Sequence, residues 1–157
     1  MKYTLGITNF LKNAALHGLV FIIPYSLFFI PSAHAAVLSF DPPERTVIPG
    51  EEFEVAVLLD TEGEAVNALA AAIRYPAYRL KLIRASDGNS LVGLWLERPK
   101  DYPEQGIISF EGVIPGGYRG AGSAVRLVFR VEDSRAAPIA VSFAPTSRVL
   151  LHNGRGE

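Results

Sequence analysis

Residues 107–131 read Ile-Ile-Ser-Phe-Glu-Gly-Val-Ile, then Pro-Gly-Gly-Tyr-Arg-Gly-Ala-Gly, then Ser-Ala-Val-Arg-Leu-Val-Phe-Arg-Val. The last third alternates with period 2, placing Val125, Leu127, Phe129 and Val131 on one face and Arg126 and Arg130 on the other. That is the pattern of a half-buried antiparallel strand. The stretch therefore predicts a strand, a glycine-rich turn and a second strand. No helix follows the glycines, so they lack the amide-rich helix start on which a phosphate-binding loop depends. The turn reads instead as an architectural link between the two strands.

Working outward, strand signals recur at short intervals with turn residues between them, and no segment holds a 3.6-residue apolar period. This predicts an all-β fold, an antiparallel β-sandwich. Val37 to Phe40 opens the sheet ahead of Asp41-Pro42-Pro43, and Pro49-Gly50 turns the chain into a strand from Glu52 to Asp60. Phe53, Val55, Val57 and Leu59 lie on one face of it. Glu62-Gly63-Glu64 is a turn, Val66 to Tyr75 a longer strand stopped by Pro76, and Leu80 to Ala85 a strand closed by Asp87-Gly88-Asn89. Leu91 to Glu97 fits either a short strand or a helical turn beneath a loop containing Pro99 and Pro103. Ile139, Val141 and Phe143 alternate, and Ser147 to His152 reads as extended. Asn153-Gly154 signals a turn three residues before the sequence stops, which leads us to expect a missing final strand.

Residues 1–35 carry Lys2 and Lys12, then the apolar run Leu19 to Ile30, then Ala33-His34-Ala35. This is the layout of an export signal cut after Ala35, with small residues at Ala33 and Ala35 for the peptidase. A retained membrane anchor is the rival, but Pro24, Pro31 and an apolar core of about a dozen residues suit it poorly to about 30 Å of hydrocarbon. The expected mature domain, 36–157, is about 120 residues, enough for one core. Two of the 15 Lys and Arg fall in 1–35, leaving 13 against 16 acidic residues, a net charge of −3 with His neutral. Mild acidity argues against nucleic acid as a partner. Without cysteine, an exported domain of this size must be held by its core alone.

With that strand order in place, the chain resembles the cohesin family, bacterial surface modules that share their fold with family 3 carbohydrate-binding modules. The resemblance rests on residues 49–57 (Pro-Gly-Glu-Glu-Phe-Glu-Val-Ala-Val), on Val66 to Ile73 with Tyr75-Pro76, on Leu80-Lys81-Leu82, and on Gly106-Ile107-Ile108, Gly122 through Leu127 and Phe129. It departs from the family where Pro76 follows the tyrosine, a position usually held by Asp. It implies a nine-stranded, jelly-roll-like sandwich in an extracellular or cell-surface assembly linked to polysaccharide use. The implied partner is a dockerin, a small calcium-binding module, docked on the sheet of the third, fifth, sixth and eighth strands. By position the contact residues are Ala68, Ala70, Ala72, Arg74, Ser109, Glu111, Ala140 and Ser142. The residues themselves point the same way, since Leu69, Ile73 and Tyr75 can face the core and leave a flat alanine strip outside. An exposed sheet also tolerates alanine as mere filler.

Catalytic readings fare worse. His152, the histidine left after cleavage, stands beside the terminal turn with no nucleophile elbow in the chain. Glu97, Asp101, Glu104 and Glu111 could supply paired carboxylates only if a cleft held them at a defined separation. Asp87-Gly88-Asn89 lacks the alternating ligands of a calcium loop. The acidic group Glu51, Glu52, Glu54, Asp60, Glu62 and Glu64 fits a solvated surface. We therefore expect no enzyme, metal or cofactor, and no membrane contact except through the signal or an anchor beyond 157. Direct polysaccharide binding is the alternative, with Trp95, Tyr102 and Tyr118 as stacking candidates and Tyr78 as another loop tyrosine. Trp95 stands among Leu91, Val92, Leu94 and Leu96, which favours its burial. A third reading is a spacer in a larger surface protein.

Overall fold

A computed structural model describes residues 36–133 and 138–152. The signal with its cut at Ala33 and Ala35, and the Asn153-Gly154 turn, lie outside them. The described residues form two antiparallel sheets and no helix. The strands are β1 Val37–Asp41, β2 Glu52–Asp60, β3 Val66–Arg74, β4 Leu80–Ser86, β5 Leu94–Tyr102, β6 Ile107–Tyr118, β7 Ala121–Val131, β8 Ser142–Phe143 and β9 Arg148–Leu151. One sheet runs β1-β2-β7-β4, and the other runs β5-β6-β3 with β8 and β9 beyond.

Alternation drives the assembly. Val55, Val57 and Leu59 of β2 and Val125, Leu127 and Phe129 of β7 are buried, as are Leu69, Ala71 and Ile73 of β3 and Ile108, Phe110 and Ile114 of β6. Each strand turns one side-chain set to a shared core and leaves the other set outside. Phe129 sits centrally, with ring centroids 5.9 Å from Phe53 and 5.5 Å from Tyr75.

Tyr75 ties this core to β5, because its hydroxyl donates to Asp101 Oδ1 at 2.7 Å. Burial, and then the carboxylate of Asp101, raise the phenol well above its ordinary value of 10. Above pH about 10 the unfolded chain therefore loses a proton that the folded chain keeps, so this contribution to stability is whole below that pH and declines as pH rises. Tyr75→Phe is expected to remove that slope, and to cost roughly 1–2 kcal/mol at neutral pH by leaving Asp101 without its donor. Unfolding free energies measured from pH 8 to 11 check both effects.

The opening stretch forms two strands joined by a turn, as its pattern implies; β6 lies in one sheet and β7 in the other, so the segment between them is a crossover. The turn is shorter than expected. β6 continues through Pro115-Gly116-Gly117 to Tyr118, and Gly116 and Gly117 adopt φ of 82° and 77° where the β3–β6 register slips. Only Arg119 and Gly120 lie between the strands.

Two further expectations are corrected. Leu94 to Glu97 of the uncertain Leu91–Glu97 piece open β5, and the supposed loop around Pro99 is strand. Proline is tolerated there because β5 is an edge strand paired only with β6, and the register slips between Glu97 and Lys100. Nine strands stand among the described residues, but β8 pairs with Ile73 and Arg74 and β9 with Val66 to Ala70, end to end along one edge of β3. Together they fill a single strand position. Between them Ser147 Oγ accepts from the Ala72 amide at 3.1 Å and lies 3.2 Å from the Ala72 carbonyl.

Candidate docking face

The register of the second sheet places its outward residues in four cross-strand rows. The first is Leu94, Val113, Ala68 and Leu150, all apolar. The second is Glu97, Glu111, Ala70 and Arg148. The third is Lys100, Ser109 and Ala72, and the fourth Tyr102, Ile107, Arg74 and Ser142. Through the middle run Ala68, Ala70 and Ala72, whose single methyl groups keep the face flat. The opposite sheet is different, since Glu52 and Glu54 on β2 pair with Arg130 and Arg126 on β7 and give its outer face a ladder of long charged side chains.

Polar contacts on the flat face cluster on its β5 side. Glu97 accepts from the Tyr102 hydroxyl and from Ser109 Oγ, each at 3.2 Å. Lys100 Nζ lies 4.8 Å from the centre of the Tyr102 ring, and that hydroxyl, with Glu97 and Glu104 nearby, raises the ammonium pKa. Arg148 reaches Glu111 at 3.8 Å. Both are cross-strand partners of Ala70, so this long ion pair spans the strip over an alanine methyl. Such an exposed pair contributes little to stability.

Below the face, Trp95 covers Gly112, where an added Cβ would meet Val92 Cγ1 at 2.3 Å and Trp95 Cε3 at 3.4 Å. Trp95 also packs its edge on Phe110, with centroids 6.1 Å apart at 76°. It is thus only half-buried, and Leu94 and Leu96, expected to enclose it, are 56% and 62% exposed.

Of the residues singled out from the sequence, Ala68, Ala70, Ala72, Arg74, Ser109, Glu111 and Ser142 fall together on this face. Ala140 is exposed but precedes β8 and pairs with nothing in the sheet. Sequence reasoning did not place Leu94, Lys100, Val113, Arg148 or Leu150 there, and took Glu97 only as a possible acid. Arg148-Val149-Leu150-Leu151 carries no polar–apolar alternation to mark two of them, since its last three residues are all apolar.

The stacking candidates are dispersed. Trp95 turns towards the core, Tyr102 stands at one end of the face, and Tyr118, which donates to the Ala121 carbonyl at 2.7 Å, pairs with Val66 at the other. Among the carboxylates, Glu97 and Glu111 are neighbours on an open surface, while Asp101 is taken by Tyr75. Asp87 bonds Arg98, and Glu51 pairs with Arg45 at 2.7 Å. His152 donates its amide to Ala65 at 2.6 Å. A cavity of about 750 Å³ lies elsewhere, at the end of the sandwich, where Phe40, Val47, Phe53 and Val141 meet the buried Arg79–Asp133 ion pair of 2.8 Å.

Two antiparallel sheets around one core, one of them with a strip of alanines along its outer face, define a β-sandwich. Among solved structures that architecture is the cohesin fold. A cohesin of Clostridium acetobutylicum, CaCohA2, superposes with a TM-score of 0.62 at 18% identity, over 78% of this chain and 83% of its own. The sixth cohesin of scaffoldin B from Acetivibrio cellulolyticus, solved with a mutant Cel5 dockerin, gives 0.57 at 19%, over 74% and 86%. A non-cellulosomal cohesin of the archaeon Archaeoglobus fulgidus gives 0.57 at 17%, over 74% and 78%. At the level of sequence the chain matches no protein-family model and no curated protein.

Proposed function

We propose that this protein is an exported, non-catalytic module that binds a helical, dockerin-like protein through the outer face of the β5-β6-β3-β8/β9 sheet, within an extracellular assembly that handles polysaccharide. The observation that carries the reading is the alanine strip of β3, flanked by charged and apolar residues on both sides, on a fold whose solved relatives include a cohesin held in complex with a dockerin. Small side chains let a helix backbone approach closely, and the charges at the edges set orientation and partner choice more than affinity. Export rests on the signal pattern of residues 1–35.

The test is Ala70→Arg. Ala70 is half-buried and points outward, so thermal unfolding is expected to change little. Affinity for dockerin-bearing proteins encoded in the same genome is expected to fall at least about 100-fold, because the new side chain blocks the closest approach and disturbs the Glu111–Arg148 pair. Calorimetry that returns an unaltered affinity removes this face from consideration.

A further inference from the structure

We infer that the docking face accepts its partner helix in one direction only, and that the helix carries an apolar residue, then a basic one four positions later, then an acidic one a further three or four positions along. The inference rests on the docking reading above and specifies its partner. Its ground is the order of the rows along β3: apolar at Ala68, carboxylate-rich at Ala70, then cationic at Ala72 and Arg74.

The charges are incompletely matched within the protein. Glu97 and Glu111 face each other across β5 and β6, and among the described residues the only ion pair made by either is the 3.8 Å contact of Glu111 with Arg148. The oxygens of Glu97 accept one hydrogen bond each, which leaves acceptor capacity on both. At the other end Lys100 lies over a tyrosine ring, and Arg74 has no ion-pair partner among the described residues. An incoming cation therefore gains at the second row, and an incoming carboxylate at the third and fourth.

Spacing converts this order into a sequence pattern. Successive rows stand two strand residues apart, about 6.7 Å. Helix positions i and i+4 are about 6 Å apart on the same face, and i+7 or i+8 continues that stripe. A helix laid along β3 thus puts its apolar residue on Leu94, Val113, Ala68 and Leu150, its cation between Glu97 and Glu111, and its carboxylate by Lys100 and Arg74. Turned end for end, the same helix keeps its cation at the second row but sets its carboxylate on the apolar row and its apolar residue against Lys100 and Arg74, which costs affinity and gives direction.

The experiment pans a displayed three-helix scaffold, randomised on the exposed face of one helix, against the full chain, and keeps only binders that lose the Ala70→Arg variant. Among these, Lys and Arg should outnumber Asp and Glu by at least about tenfold at the position four residues from a selected apolar residue. Panning on the double variant Glu97→Lys/Glu111→Lys should reverse that excess while the apolar position persists. Binders that lose Ala70→Arg yet show no charge bias, or a bias that does not reverse, overturn the directional inference and leave the docking face standing. A selection in which every binder tolerates Ala70→Arg overturns the face itself, and the inference with it.

Discussion

Phe129→Ala is expected to lower the unfolding free energy by about 3–5 kcal/mol, the range for removing a fully buried aromatic ring. The ring has no exposed surface and fills the space between Phe53 on its neighbour strand and Tyr75 on the facing sheet. Truncation forfeits the transfer free energy of the ring and leaves a hole that two well-packed sheets can only partly close. Small domains hold about 5–15 kcal/mol in total, and this one has no disulfide to compensate. Denaturant unfolding should therefore show a much lower midpoint with an unchanged slope. A loss below about 1 kcal/mol would mean that the site collapses freely and that Phe129 is not the centre of the core. Phe143, half-buried against Phe40 with centroids 4.3 Å apart, supplies the contrast, and its alanine variant should lose less.

Gly106→Ala should be nearly as damaging although it adds one methyl group. Gly106 closes the β5–β6 turn with φ of +63°, its amide donates to the Pro103 carbonyl at 3.2 Å, and its own carbonyl accepts from the Tyr75 amide at 2.9 Å. A Cβ there would stand 2.4 Å from the Tyr75 carbonyl oxygen, which is backbone and cannot swing aside. The left-handed conformation costs an alanine about 1 kcal/mol, and the forced shift of β3 from β6 adds about 1–3 kcal/mol. Gly116 is the internal control, with φ of +82° and nothing within 4 Å of an added Cβ, so Gly116→Ala should show the conformational cost alone. Equal losses at the two positions would refute the steric part. Because Gly106 anchors the Tyr102–Ile107–Arg74 end of the docking face, its variant should also weaken partner binding.

Much of this architecture is legible in the residues themselves. In β2, β3 and β7 the sets Val55-Val57-Leu59, Leu69-Ala71-Ile73 and Val125-Leu127-Phe129-Val131 are apolar and buried while the outward positions, Leu58 and Val128 apart, are small or polar, so a two-residue period announces both the strand and its buried side. β5 hides for the opposite reason. Its inward positions are Trp95 and Asp101, its outward ones include Leu94, a bulge carries Leu96 outward, and Pro99 interrupts the ladder, so alternation is scrambled over its whole length. The docking strip was legible as a row of alanines opposite Leu69 and Ile73. What flanks it was not, because the flanking residues come from β5, β6 and β9.

The sequence by itself determined that the chain builds an antiparallel sandwich, that Val125, Leu127, Phe129 and Val131 enter its core, and that Ala68, Ala70 and Ala72 stay outside. These follow from side-chain alternation within single strands, a local property that burial acts on directly. Only the tertiary structure decided which residues share a row with each alanine. Register is set by hydrogen bonds between segments as far apart as Ala72 and Ser147, and by irregularities that shift it by one residue between β5 and β6 and by three between β3 and β6, each odd shift exchanging the residue that faces out for the one that faces in. The order apolar, acidic, basic along the docking face exists in the packed sheets and nowhere along the chain.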